Sequence, residues 1–342
     1  MCHTKRGQMK VLSLFDGMSC AQIALNKLGI TDYTYYASEL DKHAIKVTQA
    51  NFPHTIQLGD VTNIKAATLP PIDLLIGGSP CQGFSFAGKQ LNFDDPRSKL
   101  FFEYVRLLKE CRPKYFLLEN VRMKQEYQDI ISEALGVAPI EINSSLASAQ
   151  NRKRLYWTNL PGITQPTDKK LLIKDILEHS VSEEFYYSDK SIAYMHRGNE
   201  KWMQAGSCRK DRYTMHEHLK SFTLTANMHK GVPYNFFAER DCLELGHADN
   251  INGHAFLKRI YSVNAKSPTL TAICGGNQHR KIAEDGVCYR KLTPIECERL
   301  QTVPDNYTNH VSNTQRYRML GNGFTVDIIA HILKEIKENE IL

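Results

Sequence analysis

Over its first 158 residues the chain repeats one pattern: a short apolar run ends in a polar or glycine turn and gives way to a helix-length amphipathic segment. That alternation is the signature of parallel βαβ units, so it restricts the fold to an α/β architecture with a parallel sheet. Apolar runs at 10–15, 33–38, 55–58, 73–76 and 115–118 read as successive strands. Helices are expected at 21–28, 42–51, 100–110 and 127–135, with two further strand-like runs at 140–142 and 154–158. The result is a doubly wound, Rossmann-like sheet whose strand ends face one crevice.

From residue 159 the pattern breaks into scattered short runs rich in Gly, Asn, His and aromatic residues, with no sustained helical period. An irregular, β-containing second lobe is expected there. It holds a local echo, Lys220-Ser-Phe-Thr-Leu-Thr-Ala226 against Lys266-Ser-Pro-Thr-Leu-Thr-Ala272, too few copies for a solenoid. Helices resume at Thr293-Pro-Ile-Glu296, a capping-box sequence with Pro at the first helical position, and again at 324–337 after Gly321-Asn322-Gly323. A length of 342 residues suits two domains at about 150 residues each. The expected partition is 1–158 with 308–342 as one domain and 159–307 as an inserted one.

Composition excludes some classes and decides little else. The charged fraction of 23% and hydrophobic fraction of 42% are those of a folded globular chain, and the net charge of +6 is spread along it rather than blocked. No apolar stretch approaches the ~18 residues of a membrane span, so no membrane association is expected. Nine cysteines without a CxxC pair, and no signal-like leader, point to reduced thiols in a cytoplasmic protein. His216 and His218 with Cys208 lack a metal-ligand spacing, and no metal is expected.

Chemistry gathers at the strand ends. Strand one ends in Phe15-Asp16-Gly17-Met18-Ser19 before a helix, where backbone amides meet a ligand. Strand two ends in Glu39-Leu40, an acid about twenty residues on, at the distance of a ribose-gripping carboxylate. Strand three ends in Asp60-Val61. Singly, each acid could cap a helix; three successive strand ends in register point to a nucleoside cofactor. After strand four comes Gly77-Gly-Ser-Pro-Cys81-Gln82-Gly-Phe84, which places one thiol as an exposed nucleophile. Strand five ends in Glu119-Asn-Val121, beside that thiol. In Gln150-Asn-Arg-Lys-Arg154, alternation aims Arg152 and Arg154 at one face. The other eight cysteines read as buried filler.

The ordered set Phe-x-Gly, Pro-Cys-Gln, Glu-Asn-Val, Gln-x-Arg-x-Arg, Arg-Leu-Gln and Gly-Asn-Gly resembles the DNA cytosine-5 methyltransferases and spans nearly the whole chain in that family's order. The resemblance implies S-adenosylmethionine as cofactor and S-adenosylhomocysteine as product. Phe15, Asp16 and Gly17 would line the pocket, Glu39 and Leu40 would hold the ribose end, Asp60 and Val61 would meet the adenine, and Pro80, Leu100 and Asn322 would complete it. It implies that Cys81 adds to carbon-6 of a flipped cytosine, that Glu119 hydrogen-bonds the ring nitrogen and amine, that Arg154 contacts the base carbonyl and that Arg152 helps to hold thiol and base. Double-stranded DNA is the implied partner, with a monomeric enzyme and a possible cognate restriction endonuclease. The long polar segment 82–98 is expected to close over DNA, with Gln82, Ser85, Lys89 and Arg97 at phosphates.

Ser13 and the Gly17-Met18-Ser19 turn depart from the commonest bacterial form and resemble the eukaryotic de novo branch and some bacterial and phage relatives. Of two Thr-Leu steps that could lie at DNA, Thr269-Leu270 is preferred to Thr223-Leu224, because it closes the lobe just before Arg290. A tRNA-directed relative is disfavoured by the absence of its Cys-Phe-Thr tripeptide. A non-catalytic DNA-binding relative is disfavoured by the presence of both Cys81 and Glu119.

Overall fold

In a computed structural model the described residues are 8–79, 96–186, 215–216, 220–221, 223–230, 237–239, 244–247, 259–262, 281–283 and 288–341. Strand β1 (Met9–Leu14), helix α1 (Cys20–Lys27), β2 (Tyr33–Ser38), α2 (Lys42–Asn51), β3 (Ile56–Gln57) and β4 (Leu74–Gly77) follow the expected alternation. They continue into α3 (Pro96–Cys111), β5 (Tyr115–Val121), α4 (Gln125–Leu135), β6 (Ile140–Asn143) and β7 (Lys153–Thr158). Apolar side chains at i, i+3 and i+4 explain the helices, and local chemistry sets their ends. Asp41 accepts from the His43 amide at 2.9 Å to start α2, and Gly136, at φ 71°, ends α4.

The seven strands lie in the order β3-β2-β1-β4-β5-β7-β6. β7 runs antiparallel to both β5 and β6, so the sheet is not wholly parallel. The reversal is short-range: β7 follows β6 through the connection 144–152, which holds only a short 3-10 helix, Ser144–Leu146, and needs no α-helical crossover. Leu12, Leu75, Leu118 and Trp157 fill one face of the sheet with α3 and α4. Val11, Ile76, Leu117 and Tyr156 fill the other with α1 and α7 (Val326–Ile341). Such near-continuous apolar strands are what a sheet covered on both faces requires.

Two boundaries differ from those expected. The segment read as loop to residue 98 is already helix from Pro96, because proline at a first helical position has no amide to satisfy. Arg97 therefore lies in the first turn of α3. The cut at 159 and 307 also does not follow the core. Leu160, Ile173, Ile176, Leu292, Leu300 and Val303 are buried in the same cluster as α7, and α5 (Pro294–Leu300) packs there with α6 (Asn313–Asn322). The reciprocal cap on α5 is present as expected: Thr293 donates its amide to Glu296, and Glu296 donates its own back to Thr293 Oγ1.

Between these segments the described strands β8 (Met215–His216), β9 (Phe237–Glu239), β10 (Glu244–His247), β11 (Arg259–Ser262), β12 (Lys281–Ala283) and β13 (Cys288–Arg290) form two three-stranded sheets, ordered β10-β11-β12 and β13-β9-β8. No described helix is long and apolar enough to cross a membrane.

Candidate active site

At the carboxyl ends of β1, β2, β4 and β5 lies a pocket of about 440 Å³. Its first wall is the turn after β1. Phe15 (φ 56°), Gly17 (φ 58°) and Ser19 (φ 59°) all adopt left-handed backbone, which reverses the chain sharply into α1. That strain is held by hydrogen bonds. The Gly17 amide donates to Glu39 Oε2 at 2.7 Å, while Glu39 Oε1 accepts from the amides of Leu40 and Asp41 at 2.7 and 2.8 Å. Glu39 thus ties two strand ends together.

Beneath the turn, Asp16 accepts from Tyr35 Oη at 2.7 Å and from Ser19 Oγ, and burial pushes its carboxyl up to about 6. Asp60 accepts from the Thr62 amide and hydroxyl, each at 2.9 Å, and the amide bond above all holds its carboxyl below the usual range. Leu40 is 70% exposed at the pocket mouth, an uncovered apolar side chain facing space for a flat ligand. Val61, Leu100 and Asn322 also line the pocket. A carboxylate pair at one end, an exposed leucine and aromatic rings of Phe15 and Phe324 form a donor set that fits a nucleoside bearing a cationic sulfonium.

The other end of the pocket is built by β5 and β7. In their antiparallel register Arg154 stands opposite Val121, two residues beyond Glu119 and on the same face. Arg154 Nε meets Glu119 Oε1 at 2.9 Å, with both side chains largely shielded. Next to Glu119, Asn120 donates to Ser79 Oγ at 3.1 Å, joining β5 to the turn after β4. Gly78 has no room for a side chain: a Cβ there would lie 2.8 Å from the Phe324 ring and 3.3 Å from Glu119 Oε2.

Arg152 shares the face of Arg154 but turns inward. Its Nη1 donates to the carbonyls of Leu224 and Gly321 at 3.1 and 3.2 Å, and its Nη2 to Gly323 at 3.0 Å. Burial first, then the neighbouring Arg154 charge, draws its guanidinium down to about 10.

Gln150 and Gln301, from the sequence motifs at β7 and α5, form a buried amide pair. Gln150 accepts from the Leu224 amide at 2.8 Å and donates to Leu300 O and Gln301 Oε1 at 3.2 and 3.3 Å. Gln301 donates to Leu320 O at 2.6 Å. The disfavoured step Thr223-Leu224 is therefore docked on the catalytic strands, and Thr225 lies against Gly321 so closely that a Cβ at 321 would fall 2.1 Å from its carbonyl carbon. Sequence reading also missed Cys20, Ser79, Arg318 and Phe324 as pocket-lining residues. Spacing offered a signal for one of them, since Arg318 lies one helical turn before Asn322.

Pro80, Cys81, Gln82, Ser85, Lys89, Thr269 and Leu270 lie outside the described residues, as does the side chain of Arg97.

A strand order with an antiparallel β7, and a nucleoside-sized pocket over the β1 turn, define a methyltransferase-type α/β enzyme. The sequence pattern of the C-5 cytosine-specific DNA methylases matches residues 9–338, and the chain belongs to that family. It is 30% identical over 358 residues to the type II methyltransferase M1.ScrFI of Lactococcus lactis subsp. cremoris, covering 98% of this chain and 79% of that one. It is 29% identical to the orphan methyltransferase M.SPRI of Bacillus phage SPR, covering 96% and 98%. In fold it is similar to the Entamoeba histolytica methyltransferase EhMeth, with a TM-score of 0.69 at 16% identity over 97% of this chain and 98% of the other. The S. pombe Dnmt2 methyltransferase is similar at a TM-score of 0.67 and 17% identity, covering 98% and 99%. The chain is a cytosine-C5 DNA methyltransferase.

Proposed function

We propose that the enzyme methylates carbon-5 of a cytosine flipped out of a specific duplex DNA sequence, with Cys81 as nucleophile. The observation that carries this is the Arg154–Glu119 pair at the end of the pocket, on the strand next to the one that leads to Cys81. Carbon-5 of cytosine is a poor nucleophile. Addition of the Cys81 thiolate to carbon-6 makes the ring enamine-like, so that carbon-5 can take a methyl group. Glu119, anchored by Arg154, hydrogen-bonds ring nitrogen and amine and stabilises the protonated ring while the thiol adds. Arg154 contacts the base carbonyl, and Arg152 braces the wall from behind. Loss of the carbon-5 proton to a base or ordered water then expels the thiolate and restores the ring.

S-adenosylmethionine supplies the methyl group when bound. Phe15, Asp16, Gly17, Glu39, Leu40, Asp60, Val61, Pro80, Leu100 and Asn322 hold it, with the carboxylates of Glu39 and Asp60 toward ribose and adenine. Gln82, Ser85, Lys89 and Arg97 contact DNA from the segment before α3 and its first turn, and Thr269-Leu270 from the recognition lobe. That lobe lies within 159–307, and parts of this stretch, among them Leu160, Ile173, Leu292 and Leu300, pack into the catalytic core. In this reading the enzyme acts as a cytoplasmic monomer, with or without a cognate restriction endonuclease, since its relatives include both type II and orphan methyltransferases.

Incubating the protein with radiolabelled cofactor and duplex DNA tests the reading. Label should enter cytosine, Cys81→Ala should abolish incorporation, and 5-fluorocytosine DNA should trap an adduct at Cys81 in mass spectra. Full activity in Cys81→Ala would sink it.

A further inference from the structure

Among the described residues three guanidinium groups line the pocket, and two are committed. Arg152 gives three bonds to backbone carbonyls, and Arg154 is paired with Glu119. Arg318 is different: it is exposed, and among the described residues it has no ion pair or hydrogen bond. A pocket-lining arginine with an open planar fork of donors is suited to a bidentate oxyanion, and none of the carboxylates that line the same pocket pairs with it.

Its place in the fold selects the anion. Arg318 and Asn322 stand four apart on α6 and so share a face, and both line the pocket. The same helix packs against the turn Met228–Lys230, and its Gly321 lies against Thr225 and Ala226. α6 therefore sits where catalytic strands meet the chain that leads into the lobe. Arg318 and Glu119 line one pocket, so a duplex that delivers a flipped base to Glu119 would pass Arg318 on the exposed edge of α6.

We propose that Arg318 binds a phosphate of the target DNA, holding the strand beside the flipped cytosine rather than the carboxylate of the cofactor. This rests on the DNA-methylating function above. The contact is sequence-independent and positions the duplex without reading it.

The test measures duplex DNA affinity by fluorescence anisotropy, across a salt series with S-adenosylhomocysteine present, for wild type, Arg318→Ala and Arg318→Lys. Cofactor affinity is measured separately by calorimetry. Arg318→Ala should weaken DNA binding about tenfold and lower the slope of log Kd against log salt by about 1, equally on cognate and non-cognate duplexes. Arg318→Lys should restore the slope, and S-adenosylmethionine affinity should not move. Unchanged DNA affinity and slope in Arg318→Ala would overturn the inference, as would a selective loss of cofactor affinity, which would assign Arg318 to the cofactor carboxylate. If wild type itself binds no DNA, the function proposed above falls with it; if wild type binds and the variant matches it, only the role of Arg318 falls.

Discussion

Arg154 Nε lies 2.9 Å from Glu119 Oε1, and Oε2 of the same carboxylate has no partner among the described residues. One oxygen is anchored and the other is left to the cleft. Because the pair is set by the β5–β7 register, it exists before any base arrives, so Glu119 needs no reorganisation on binding.

Replacing Arg154 with Ala should lower kcat roughly 100-fold or more while cofactor affinity holds, since the anchor acts on the base end alone. Arg154→Lys should recover only part, because an ammonium lacks the planar fork. Single-turnover methylation on saturating DNA reads the effect. An Arg154→Ala variant with wild-type kcat would show that Glu119 is oriented by something else.

Gly321 carries a second constraint. A Cβ at this position would meet backbone atoms of Thr225 and Ala226 at 2.1 to 2.4 Å, and backbone cannot swing aside as a flexible side chain can. Gly321→Ala should cost about 1–3 kcal/mol of stability by overpacking. It should also displace two of the carbonyls that hold Arg152, those of Leu224 and Gly321. Urea denaturation and methylation assays should show both losses together; a variant as stable as wild type would refute the close approach.

Such contacts mark where the sequence stops being legible. Strand ends can be read locally, because apolar runs and turn residues are consecutive, and Gly17, Glu39 and Asp60 line one pocket. The antiparallel β7 could not, since an isolated strand carries no direction in its composition. Nor could the fate of Thr223-Leu224, whose role depends on Gln150 and Gly321, far away in the chain. Leu292 and Leu300 were assigned to the lobe by proximity in sequence, yet burial against α7 requires only an apolar face, which the capped helix already had.

Gln150 and Gln301 are both fully buried and share a bond at 3.3 Å. Gln301 also accepts from Thr325 Oγ1 at 2.9 Å. Gln301→Leu would take the acceptor from the Thr325 hydroxyl, which still accepts from Ser144 Oγ, and the donor from the Leu320 carbonyl, at a cost of about 1–3 kcal/mol for each unsatisfied group. Because Gln150→Leu breaks part of the same network, the double variant should lose at least about 0.5 kcal/mol less than the two single losses combined. Strict additivity in a double-mutant cycle would mean that the two amides act independently.

Asp16 makes stability depend on pH in an unusual direction. Burial raises its carboxyl to about 6 in the folded protein, from the ordinary aspartate value of 3.8. Between those values the folded state holds the proton more tightly than the unfolded state. Stability is therefore greatest below pH 4, as far as this group is concerned, and falls as pH rises through 6. The loss is on the order of 2–3 kcal/mol, complete by neutral pH. Asp16→Asn keeps an acceptor for Tyr35 Oη and has no charge to bury, so at pH 7 it should be more stable than wild type. Below pH 4 the two should converge. Chemical denaturation of both proteins from pH 4 to 8 checks this, and parallel curves would show that the Asp16 carboxylate is ionised without penalty in the folded protein.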